Sequence, residues 1–211
     1  MADPTGSISA EVDKSQTRSS GYGPLPGARE EGEKIIDLIR DHTLLVGHRA
    51  QESLIKRVYN DYDILHFACH GLLDSGTPLS NGLVLARNDE EDGILEVREI
   101  MVKVLSARLA VLSACDSAVG FHNGGDGVQS LVWAFLAANC ENVVASRWKV
   151  NDQATRDLMV AFYTGAQANE PFDLALQSAM KKIKADPRTA SPYYWSAFDV
   201  FGKPGRGLRA Q

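Results

Sequence analysis

DILHFACHG, residues 63–71, and LAVLSAC, residues 109–115, are the stretches whose reading decides the fold. Each is a short apolar run of strand length, and each ends on a residue able to do acyl chemistry, His70 in the first and Cys115 in the second. The run over residues 108–114 is nearly all apolar, as expected of a central strand buried on both faces. In a parallel sheet the strand ends lie side by side, and sites form outside their carboxyl ends. A histidine and a cysteine so placed meet as base and nucleophile.

Outward from these runs, helical periodicity and short apolar segments alternate, the signature of a sheet with helices on both faces. The pattern predicts a helix over residues 29–40, with Ile35, Ile36, Leu38 and Ile39 clustered on one side, then a short strand over 43–46 and a helix over 51–59. The His-bearing strand is expected over 64–69, with His70 closing it. Residues 72–82 read as loop, and 82–86 with 93–95 as a small hairpin whose acidic turn, residues 88–92, is a solvated one. After the Cys-bearing strand, a Gly-rich loop over 120–127 leads to a helix over 128–139 and a strand over 141–148. Helices over 152–168 and 171–184, the second with Pro171 in its first turn, precede a last strand over 198–201. Asp152 is placed to cap its helix.

With 211 residues, 44% of them hydrophobic, the chain has room for one sizeable core. The expected domain is residues 24–202. Residues 1–23, rich in Ser, Gly and charge, read as a flexible lead or linker, and 203–211 as a frayed tail. A net charge of -5 with scattered Lys and Arg gives no footprint for phosphate backbones, so nucleic acid is not an expected partner. The first residues lack the basic and apolar regions of a signal peptide, and no apolar run reaches membrane-spanning length. A soluble, cytoplasmic protein is the expectation. The three cysteines, Cys69, Cys115 and Cys140, have no CxxC spacing, which argues against a disulfide framework or a zinc site. Cys69 and Cys140 read as buried small hydrophobes.

Several separate words sharpen the dyad. They are PLPGAREEGEKI from Pro24, DILHFACHG from Asp63, LSNGLVLA from Leu79, AVLSACDSA from Ala110, GGDGVQSLVWAFLAANCENVVASRWKVND from Gly124 and PYYWSAFDVFG from Pro192. In that order they resemble the CHAT domain, a bacterial branch of the caspase-like clan CD cysteine peptidases. The resemblance implies an α/β fold, a three-layer α/β/α sandwich of the caspase-like type with a mostly parallel central sheet. It also implies a cysteine endopeptidase in which His70 is the acid/base and Cys115 the nucleophile. Modules of this kind usually stand beside tetratricopeptide repeats, so a repeat or other sensor domain is an expected partner, besides a protein or peptide substrate.

The backbone amides of Gly71 and Cys115 are the expected oxyanion hole, Gly71 letting a carbonyl approach its amide closely. Ser146, Arg147 and Trp148 fall at the end of the strand after the Cys-helix unit, where caspase-like enzymes build part of the substrate cleft. The family word usually has an apolar residue in place of Arg147. Asp116, next to the nucleophile, is a further substrate contact, although acids on loops, among them Asp74, Asp126 and Asp152, are most often solvated or capping residues. His66 falls four residues before His70, on the same face by strand alternation, and reads as a core or supporting histidine. The HxxxH spacing suggests no metal, because both rings converge only on a helix, and no cofactor is expected. His42, His48 and His122 are expected to be exposed.

Two other classes compete with the peptidase. One keeps the fold without the chemistry, a silent scaffold that binds a partner protein in signalling. The other is a hydrolase or acyltransferase using Cys115 on a small molecule, which the family words disfavour.

Overall fold

The computed structural model describes residues 25–73, 76–113, 126–148, 150–203, 205 and 207–208. Helix α1 (Pro26–Ile36) opens with proline in its first turn, where the missing N–H costs nothing. Asp41, in a left-handed conformation at φ 52°, lies a few residues beyond its end. Helix α2 (Glu52–Val58) leads into strand β1 (Ile64–Phe67), and a separate strand β2 (His70–Leu72) follows almost at once. The hairpin β3 (Gly82–Val84) and β4 (Ile94–Glu96) runs into helix α3 (Val97–Met101), then β5 (Leu109–Leu112), helix α4 (Asp126–Ala137) and β6 (Asn142–Ser146). Helices α5 (Asp152–Gln167), α6 (Phe172–Ala185) and α7 (Pro192–Trp195) precede β7 (Phe198–Gly202).

The main sheet has the order β1-β5-β6-β7, with β1, β5 and β6 parallel and β7 antiparallel at one edge. Ile64 stands opposite Leu109 and Phe67 opposite Leu112, and Leu109 in turn opposite Asn142. Strand alternation divides the buried side chains between two cores. Leu65, Phe67, Ala110, Leu112, Val143 and Ala145 pack beneath α2, α3 and α4, against Ile55, Ile100, Leu131 and Phe135. Ile64, Leu109, Val111 and Val144 pack on the opposite face against Ile35 of α1, Leu158, Phe162 and Tyr163 of α5, and Phe172 of α6. Helices therefore cover both faces of a mostly parallel sheet. No helix among the described residues is long and apolar enough to cross a membrane.

Four expectations need correction. Residues 43–46 form no strand; the run instead ends in a 3-10 turn at Gly47–Arg49, entered through Gly47 at φ 60°. The His-bearing strand is not continuous to residue 69. It breaks after Phe67, and His70 begins β2, whose backbone pairs antiparallel with β3 in a second sheet of order β2-β3-β4. His66 and His70 therefore do not share a face of one strand. At the start of α5 the cap is Asn151, whose side-chain oxygen accepts from the N–H groups of Gln153 (3.0 Å) and Ala154 (3.3 Å), leaving Asp152 inside the first turn. Pro171 likewise sits at the N-cap of α6, one residue before the helix begins.

The turn joining β3 to β4 is solvated, with Asp89, Glu90 and Asp92 exposed, and two of its acids are also paired. The Lys56 ammonium of α2 lies 2.6 Å from Glu52, 3.0 Å from Glu91 in the turn and 2.6 Å from Glu99 in α3, and Arg57 holds Glu90 at 3.0 Å. Glu52 also accepts from the Gly93 N–H at 2.8 Å. Gly93 is in the left-handed region at φ +87°, where a side chain would collide with the Leu85 carbonyl. This clamp fixes the small sheet, and with it His70, against α2 and α3.

Burial raises the Glu52 carboxyl above its ordinary value, outweighing the Lys56 contact and the Gly93 N–H. At Glu99, burial also acts upward, but Lys56 and the Glu96 N–H together hold the carboxyl below its usual range. The stability Glu99 contributes is therefore present above its unfolded value and is lost as pH falls through its lowered folded value. Replacing Lys56 by Met strands three carboxylates, and urea unfolding at pH 7 is expected to show a loss of about 3 kcal/mol. The deficit should shrink toward acid pH as Glu52, already raised, protonates. A deficit independent of pH contradicts this assignment.

Candidate functional site

The carboxyl ends of β1, β5 and β6 are adjacent, about 10 Å across at ordinary strand spacing. From β1 the chain passes through Ala68 and Cys69, both buried, to His70 and Gly71. His70 is 7% exposed and lies opposite Val84 of β3, and Gly71 is buried opposite Leu83. Pairing of β1 and β5 continues one step past the strands, where the Ser113 N–H donates to the Phe67 carbonyl at 2.9 Å. Cys115 and Asp116 follow Ser113 in sequence but lie outside the described residues, as do Asp74 and His122. His42 and His48 are exposed.

His66 points to the α1 and α5 face, wholly buried. Its Nδ1 is 3.0 Å from the Tyr163 hydroxyl, and its Nε2 is 2.9 Å from Glu31 Oε1 of α1, a close approach without hydrogen-bond alignment. The other Glu31 oxygen accepts from the Ser113 hydroxyl at 3.2 Å. His66 is therefore part of a buried polar chain that reaches the end of β5.

Glu31 escaped the sequence reading. Its signal was present: Glu31, Ile35 and Ile39 fall four apart, and all three are buried, so a charged residue occupies the apolar stripe of the helix. Asn81 escaped too. It is fully buried, and its amide donates to the Ser130 hydroxyl of α4 at 3.0 Å, tying the start of β3 to that helix.

At the end of β6, Ser146 donates its hydroxyl to the Trp148 carbonyl at 2.5 Å. Arg147 is engaged within the chain: its Nε lies 2.7 Å from one Asp199 oxygen, its Nη2 3.1 Å from the other, and its guanidinium 5.5 Å from the centre of the Trp148 ring. The Trp148 indole N–H donates to the Tyr193 carbonyl at 3.1 Å, and the half-buried ring packs on the α5 core. The charge that replaces the family's apolar residue is thus balanced by Asp199.

Among the described residues, Glu52, Glu91 and Glu99 bring carboxylate oxygens within 4.8 Å of one another, a spacing able to hold a metal ion. The Lys56 ammonium contacts all three and already supplies their counter-charge. Cys69 and Cys140 are both buried. Burial pushes the Cys140 thiol up to about 12, and the thiol donates to the Asn142 carbonyl. Iodoacetamide applied to the folded protein near pH 8 should leave Cys69 and Cys140 unmodified until urea is added. Fast native labelling of either, read by mass spectrometry, contradicts their placement.

A family model described as the CHAT domain matches residues 1–203. Among curated proteins, Tetratricopeptide repeat protein 28 of Mus musculus is 25% identical over 214 residues, covering 86% of this chain and 9% of that protein. The Homo sapiens protein of the same name is also 25% identical, with 86% and 8% covered. The chain thus spans less than a tenth of these relatives. Of solved structures, the Saccharomyces cerevisiae separase-securin complex aligns at TM-score 0.59 and 13% identity, covering 94% of this chain and 11% of that one. The Arg specific cysteine proteinase gingipain R aligns at TM-score 0.55 and 12% identity, covering 96% and 46%. The fold is the caspase-like one these structures share.

Proposed function

The chain belongs to the CHAT domain family, and from that premise we propose that it is a cysteine endopeptidase that cleaves a protein partner through a His70/Cys115 dyad. The observation that carries the reading is the pairing of β1 and β5 through Ser113 and Phe67, since His70 follows one strand and Cys115 the other. His70 takes the Cys115 thiol proton, and the thiolate attacks the scissile carbonyl carbon. The amides of Gly71 and Cys115 stabilise the resulting oxyanion. Collapse breaks the C–N bond, with the proton passing from His70 to the leaving amine. Water, deprotonated by His70, then attacks the thioester, releasing the acid and restoring the thiol.

Ser146, Arg147 and Trp148 form the adjoining wall of the cleft, where an extended peptide pairs with backbone at the end of β6. Because Asp199 neutralises Arg147, this wall does not select acidic residues by charge, and Asp116, next to Cys115 in sequence, is a further substrate contact. The peptidase module is residues 24–202, flanked by a linker and a tail, and it works in the cytoplasm. The naming of the curated relatives supports a tetratricopeptide-repeat sensor as the activating partner.

The test is cleavage of a mixed peptide library by the purified chain, with Cys115→Ala and His70→Ala beside it, read by mass spectrometry. Cys115→Ala should abolish cleavage, and His70→Ala should lower kcat/KM by about 100-fold or more. Cleavage that survives Cys115→Ala overturns the assignment. Absence of cleavage by the parent chain, alone and with a repeat domain added, favours the silent scaffold.

A further inference from the structure

The Glu31 carboxylate is 3% exposed, His66 0% and Ser113 6%, and none of the three takes part in the chemistry assigned to His70 and Cys115. A carboxylate sealed from water is costly unless paired, and buried ion pairs exchanged for apolar side chains often leave a protein equally or more stable. Leucine would complete the apolar stripe of α1. Stability alone therefore does not account for a glutamate here. What the carboxylate adds is direction, because its two oxygens reach two different strands: Oε1 meets the His66 ring of β1 at 2.9 Å and Oε2 holds the Ser113 hydroxyl at the end of β5 at 3.2 Å.

The helix that carries Glu31 is itself fixed. Glu30 pairs with Arg156 of α5 at 2.5 Å, and Gly27 lies so close to Asp152 that a methyl group there would collide with it. On the far side, Tyr163 of α5 meets His66 Nδ1 at 3.0 Å, so the imidazole is hydrogen-bonded at one nitrogen and faces Glu31 with the other. His66 precedes His70 by four residues and Ser113 precedes Cys115 by two.

We propose that Glu31 is a positioning residue of the thiol site, holding the carboxyl ends of β1 and β5 at a fixed spacing through His66 and Ser113. The inference deepens the peptidase reading and rests on it. Reactive geometry is steep in distance, so a shift of about 1 Å between the strand ends lowers the rate by about 100-fold.

The experiment uses the full chain with Glu31→Leu, Glu31→Gln and Ser113→Ala, and Glu33→Gln as a control at an exposed acid of the same helix. Three quantities are read: the thermal midpoint, the iodoacetamide rate of Cys115 across pH, and kcat and KM for a cleaved peptide. Glu31→Leu should fold at least as stably as the parent. Its Cys115 alkylation and its kcat should nevertheless fall about ten-fold or more, with KM little changed, and Glu31→Gln should recover part of the loss. Ser113→Ala should act in the same direction, and Glu33→Gln should match the parent. Should Glu31→Leu fail to fold, Glu31→Gln and Ser113→Ala decide. Folded variants that alkylate and cleave like the parent overturn the positioning role. If the parent cleaves nothing while the Glu31 variants still change the Cys115 alkylation rate, the peptidase reading fails and the positioning role stands.

Discussion

Parallel pairing of β1 with β5, extended by the Ser113 N–H onto the Phe67 carbonyl, is the constraint on which the rest of the molecule depends. Parallel strands need a crossover between them, and both faces of the pair must then be covered. Here the segment between β1 and β5 supplies the small sheet and α3 on one face, while α1, α5 and α6 close the other. Because neighbouring parallel strands end together, the residues that leave β1 and β5 are delivered to one edge of the sheet.

Apolar burial explains the layers but not the precision at that edge, since apolar contacts carry no direction. Direction comes from buried polar groups. Glu31 joins α1 to both strand ends, Asn81 joins the small sheet to α4, and Lys56 gathers three carboxylates from α2, the β3–β4 turn and α3. Each ties together elements distant in sequence, and each lies beside an element that carries or flanks the site. The arrangement places apolar contacts at the centre of the fold and polar clamps between its elements.

The sequence was most legible where one periodicity acted alone. The all-apolar run of β5 reads as a central strand, and helices α4, α5 and α6 show unbroken spacing, so these elements fall within a few residues of their expected places. Legibility failed where tertiary pairing competes with local pattern. DILHFACHG reads as one strand because nothing in its composition marks a break, yet the backbone at His70 is claimed by β3. Leu44, Leu45 and Val46 have strand-like side chains, but Leu45 enters the core from an irregular segment that ends in a left-handed glycine. The acidic turn reads as solvated and is exposed at Asp89, Glu90 and Asp92, but the pairing of Glu91 was hidden because its partner, Lys56, comes from another element. At the site, His70 and Cys115 were read from motif and position, and the buried His66 was legible as a core histidine. Glu31 was not, because a glutamate beside a second glutamate on a charged helix looks like part of its solvent face until the stripe through Ile35 and Ile39 is followed.

The central claim is that the two strand ends deliver a thiol and an imidazole to one point. Its most direct measurement is a crystal structure of the chain inactivated by a peptidyl electrophile, such as a peptidyl vinyl ketone. The account predicts a covalent bond to Cys115 Sγ, a His70 ring nitrogen within about 3.5 Å of the reacting atoms, and the peptide lying along the end of β6. Attachment at another residue, or a His70 ring turned away from Cys115 while both are ordered, would contradict it.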